Sequence, residues 1–104
     1  MASLITPFWR RYLVRRIFPR MNKDYVLYNL DEAHKALAEI MANMKSNRDY
    51  DYGEYVVDMS HVYHHLNTAW NARDATKAAA DECSEGDFYR WRQFPSEKEI
   101  YLGP

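Results

Sequence analysis

The sequence predicts an all-α fold, a small three- to four-helix domain preceded by a basic, aromatic N-terminal arm. Two long segments repeat their apolar residues at helical spacing, each behind a capping pattern. Only three glycines and four prolines interrupt the 104 residues, and most of the prolines stand near the ends. The charges divide sharply: residues 1–23 hold Arg10, Arg11, Arg15, Arg16, Arg20 and Lys23 with no acid, while all fifteen acids follow, against the eight remaining Lys and Arg. That is +6 on the first segment and −7 on the rest, a basic arm (1–23) on an acidic helical body (24–104).

Within the arm, Phe8-Trp9, Tyr12 to Val14 and Ile17-Phe18 recur about every 4.5 residues, which fits neither the roughly 3.6 of a helix nor the roughly 2 of a strand. We expect a short helix from about Pro7, near its first turn, to Phe18, with Pro19 ending it. The stretch DYVLYN reads equally as extended chain or helical lead-in. Asn29 then stands as an N-cap, because Asn29-Leu-Asp-Glu32 has capping-box spacing. From Leu30 to Lys45, Leu30, Ala33, Leu37, Ile40, Met41 and Met44 share one face, and Asp31, Glu32, Lys35, Glu39 and Asn43 share the other.

SNRDYDY breaks the pattern, and Asp51-Tyr-Gly-Glu54 opens a second helix expected to run to about Arg73. Its apolar arc of about 140°, Tyr55, Val56, Met59, Val62, Tyr63, Leu66, Ala69 and Trp70, is the expected core face. ATKAAADEC forms a short helix or continues the long one. DFYRWRQF follows the Ser84-Glu-Gly-Asp87 start and is closed by Pro95. The two long helices should form an antiparallel pair, supported by the aromatic C-terminal helix and covered by the arm.

Chemistry-bearing residues concentrate in DMSHVYHHLNTAWN. On a helix, Glu54, Asp58, His61 and His65 fall within about 60° of one another, roughly 120° from the centre of the expected core face, while His64 points elsewhere. Asp58, His61 and His65, with Glu54 as a further donor, present two imidazoles and carboxylates as one divalent transition metal requires. The shell is incomplete on one helix, and Glu32, Glu39 and His34 are poorly placed to finish it. We therefore read the stripe as an ordinary polar helix face with no cofactor, and keep a metal-binding protein or small metal-dependent enzyme as the competing reading.

Asn47, Asp49, Asp51 and Asp58 take positions 1, 3, 5 and 12 of a calcium-loop frame, but Tyr52 holds the sixth place, where glycine is needed, and Gly53 comes one late. A turn and an N-cap explain the same residues. Asn67 and Asn71 are i, i+4 neighbours suited to bonding an adjacent helix or loop. Cys83 is the one cysteine and stands among acids, which excludes an intramolecular disulfide and disfavours a nucleophile.

No nucleophile elbow, phosphate-cradling glycine loop or DNA-reading motif occurs. The expected role is a non-enzymatic interaction or accessory protein, intracellular and cytoplasmic. Its arm (Trp9, Arg10, Arg11, Tyr12, Arg15, Arg16 and Arg20) should dock on the protein's own body, on an acidic partner or in a homo-oligomer. Nucleic acid and anionic membrane surface are the alternatives, since guanidinium groups meet phosphates while rings stack or insert. The arm also has the composition of an organelle transit peptide, although we expect it to be retained.

Overall fold

The computed structural model describes residues 20–100. These residues are all-α: α1 (Lys23–Ser46), α2 (Tyr52–Asn71), α3 (Lys77–Glu82), α4 (Glu85–Trp91) and α5 (Glu97–Ile100), with no strand among them. The helix expected over residues 7–18 lies outside the described residues. The described segment thus contains one helix more than the upper expected number, because the tail adds the single turn of α5.

Helix α1 begins seven residues earlier than Asn29 suggests. Its cap is Asn22, whose side-chain oxygen accepts the Tyr25 backbone N–H at 3.1 Å. The same side chain donates to the Ala75 carbonyl at 3.0 Å, and the Asn22 backbone N–H donates to the Arg73 carbonyl at 2.7 Å. One residue therefore starts α1 and ties it to the chain leaving α2. Asp51 caps α2 as its spacing predicts, accepting the Glu54 N–H at 2.8 Å. Between the two helices, the Tyr50 hydroxyl donates to Asp58 Oδ2 at 2.8 Å, anchoring the turn to α2.

The helices α1 and α2 pack as an antiparallel hairpin along a narrow seam. Asn29, Ala33 and Ile40 of α1 are buried there against Val62, His65 and Ala69 of α2, and Ala36, Tyr50 and Met59 close around Ala33, Ile40 and Val62. The seam is not the face that hydropathy alone selects. Of the expected core residues, Ala33, Ile40, Val62 and Ala69 are buried, and Met59 and Trp70 are half-buried. Leu30, Leu37, Met41 and Met44 of α1 and Tyr55, Val56, Tyr63 and Leu66 of α2 remain exposed. The chain brings its small and polar side chains into the seam, which lets the helices approach, and leaves the large apolar ones beside it.

The short helices pack at the end of the hairpin where α1 begins and α2 ends. Thr76 caps α3 by accepting the Ala79 N–H, and Cys83 ends it in the left-handed region at φ 43°. Ser84 caps α4 by accepting the Asp87 N–H. Trp91, buried to 4% exposure, meets Tyr25 edge-on at 5.8 Å between ring centroids. Asn67 donates to the Arg92 carbonyl at 2.9 Å, and Asn71 donates to the Trp91 and Gln93 carbonyls at 2.7 and 2.6 Å. These amides fasten α4 to α2, the packing role their spacing suggests.

Candidate functional site

The histidine stripe lies at the edge of the seam, partly buried in it and partly in solvent. Glu54 and His61 are exposed, Asp58 is half-buried and His65 is buried. The physical reason is that the seam runs along α2 about a quarter turn from the large apolar arc, and so overlaps the stripe at His65 and Asp58.

His65 meets Asn29 across the seam, with Nδ1 2.9 Å from Oδ1. Because Asn29 Nδ2 donates to the Tyr25 carbonyl at 3.0 Å, its oxygen is the acceptor, and His65 Nδ1 must carry the proton. That leaves the lone pair on Nε2. The His61 ring stands perpendicular to His65 at 4.7 Å between centroids, and His64 lies at 5.0 Å. Burial holds the His65 imidazole below its ordinary titration range, reinforced by His61 and His64 and opposed by Glu32. His64 is lowered for the same first reason, with His61 and Arg92 adding to it.

Asp58 is engaged by the Tyr50 hydroxyl, which desolvation and then the Asp58 carboxylate push up to about 12. The carboxylate and the His65 ring are thus each directed to a different neighbour. Among the described residues no group of three His, Cys, Asp or Glu side chains is placed to hold a metal ion. Of the donors proposed from spacing, Asp58, His61 and His65 with Glu54, Asp58 accepts from Tyr50 and His65 bonds Asn29, which orients the imidazole as a supporting residue would. Sequence reasoning missed Asn29 as part of this site because its spacing to Glu32 reads as a cap. The available signal was its place in line with Ala33 and Ile40.

A cavity of about 440 Å³ opens beside the pair, lined by Tyr25, Tyr28, His64, Thr68, Cys83 and Trp91, among others. Its lining is largely aromatic and also includes His65 and Asp81. A second, open cavity of about 500 Å³ is lined by Arg20 together with Asp24, Asp74 and Asp81. Arg20 is the one expected arm contact within the described residues, where it is exposed. Trp9, Arg10, Arg11, Tyr12, Arg15 and Arg16 lie outside them.

The most extensive unusual feature is a surface. The exposed stripe on α1 (Leu30, Leu37, Met41, Met44) and that on α2 (Tyr55, Val56, Tyr63, Leu66) are rotated about 90° from the seam in the same helical sense. In an antiparallel pair, equal rotations in one sense carry both stripes to the same side. The hairpin therefore presents an apolar face two helices wide, bordered at Tyr63 by the chain that follows α4, where Phe94 meets the tyrosine ring edge-on at 5.2 Å between centroids.

Comparison of the chain with protein families, curated proteins and solved structures finds no match. Among the described residues no helix is long and apolar enough to cross a membrane.

Proposed function

We propose that this chain is a non-enzymatic interaction module, a helical hairpin that acts through its surfaces. The observation that carries the reading is the open apolar face. Monomeric proteins rarely leave so many large apolar side chains contiguous and exposed, because water penalises that area by about 25 cal/mol per Å². A partner surface removes the penalty. The basic arm supplies a second contact, directed to acidic surface on its own body or on a partner. Arg20, at the root of the arm, already shares a cavity with Asp24, Asp74 and Asp81.

The test compares the native assembly of the full chain with two variants, Leu37→Glu/Met41→Glu on the face and a deletion of residues 2–20. The face variant should keep its helical circular dichroism and lose its association. The deletion should keep a folded body but lose capture of acidic protein surfaces. Binding to nucleic acid or anionic vesicles that falls steeply with salt and vanishes on deletion would instead assign the arm to phosphates. Identical assembly and identical binding in all three forms would sink the module reading.

A further inference from the structure

We propose that the apolar face is the interface of a symmetric homodimer, in which a second copy lays the same face against it to form a four-helix bundle. The inference rests on the interaction-module reading and names its partner. Three properties of the face select a second copy over other occupants.

The first is area. Eight large apolar side chains, each 37 to 57% exposed, leave on the order of 700 Å² open at about 200 Å² for a whole large side chain, close to the roughly 800 Å² a standard interface takes from each partner. Second, shape matters: two parallel stripes with a groove between them match another two-helix surface. A twofold axis through the centre of the face would set Leu, Met and Tyr side chains of one copy between those of the other.

Charge is the third, and it separates the second copy from the chain's own arm. Neither stripe includes an acidic or basic residue, so self-pairing brings no like charges together. The arm carries five arginines, and the face offers them no carboxylate. Glu39 and Asp58 instead line one cavity beside the seam, and Asp81 lines another with His65 and Trp91. The arm's apolar residues, spaced about 4.5 apart, also fail to form the continuous stripe that a groove between helices accepts. Charge and periodicity thus direct the arm to these carboxylates and leave the apolar face to a second copy.

The experiment is sedimentation and light scattering on the purified full chain, well above micromolar concentration. The wild type should have twice the 12.4 kDa of the chain, and Leu37→Glu/Met41→Glu should halve that mass with unchanged helical circular dichroism. Glu39→Lys, outside the stripes, should leave the dimer intact. Because dimerisation stabilises by mass action, the wild-type melting temperature should rise with protein concentration, and that of the face variant should not. A monomeric wild type with a concentration-independent melt overturns the proposal. So does a dimer that survives the face variant and dissolves when residues 2–20 are deleted. If the purified chain is a monomer but the face variant still loses a larger native assembly, the occupant is a different protein: the homodimer fails and the interaction module stands. If neither the face variant nor the deletion changes assembly or binding, both fail.

Discussion

At the scale of single residues, the Asn29–His65 pair is the most consequential contact. A buried polar group left without its partner costs about 1–3 kcal/mol, so Asn29→Ala should destabilise by that amount, measured by chemical denaturation, despite removing no large side chain. The pair also sets a pH dependence. Folded His64 and His65 resist protonation, while their unfolded counterparts titrate near 6.5. The unfolded chain therefore binds more protons as pH falls below that value. Stability is complete above pH 6.5 and declines below it, until the folded imidazoles titrate in turn. Melting temperatures measured across this window should show that decline, and His65→Gln should flatten it. Two further residues invert what their types suggest. Trp70 is only half-buried, and its indole N–H is buried without a hydrogen-bond partner. Trp91 is the tryptophan of the interior, and Trp91→Ala should cost about 3–5 kcal/mol. Cys83, exposed and held at φ 43°, occupies a helix-ending conformation that favours glycine. Cys83→Gly should stabilise by about 0.5–1 kcal/mol, and a lower melting temperature would show that its thiol makes a contact worth more than the relief of strain.

At the scale of elements, caps explain most of what could be read directly from the sequence. Asp51 begins α2 where its spacing to Glu54 places it, and Ser84 begins α4 for the same reason. The start of α1 was misplaced because two asparagines compete for it. Asn29 has the better local pattern, but Asn22 is selected by a contact with Arg73 and Ala75 that local spacing cannot reveal. Asn22→Ala should therefore cost more than an ordinary cap, about 2 kcal/mol or slightly above, with Lys23→Ala as an exposed control near zero. The core face was misread by about a quarter turn on both helices. Hydropathy reports which side chains resist water, and Leu37, Met41, Tyr63 and Leu66 do. It does not report whether the covering surface belongs to the same hairpin. Ala33 and Ala69 allow close approach, and Asn29 and His65 satisfy each other only once both helices are in place. Asp58, His61 and His65 share a stripe by spacing, and the partners that the fold gives Asp58 and His65, Tyr50 and Asn29, come from outside it.

At the scale of the whole molecule, the described body has little interior of its own. The cluster of Ala33, Ile40 and Val62 is small for two helices of 24 and 20 residues, and Val62 is its one large side chain below 2% exposure. In the proposed dimer much of the favourable burial lies between molecules, so an isolated hairpin should be markedly less stable than the assembled form. A seam lined with alanine has a further weakness: small side chains interlock poorly, so α1 could slide along α2 by a turn with little steric objection. The buried asparagine and histidine remove that freedom. A slip of four residues would set the His65 N–H against the Ala33 methyl and the Asn29 amide against Ala69, stranding both polar groups in an apolar seam. The contact described above as a hydrogen bond and a titrating group is therefore also a register pin, which holds in line the two stripes that must stay level to form one face.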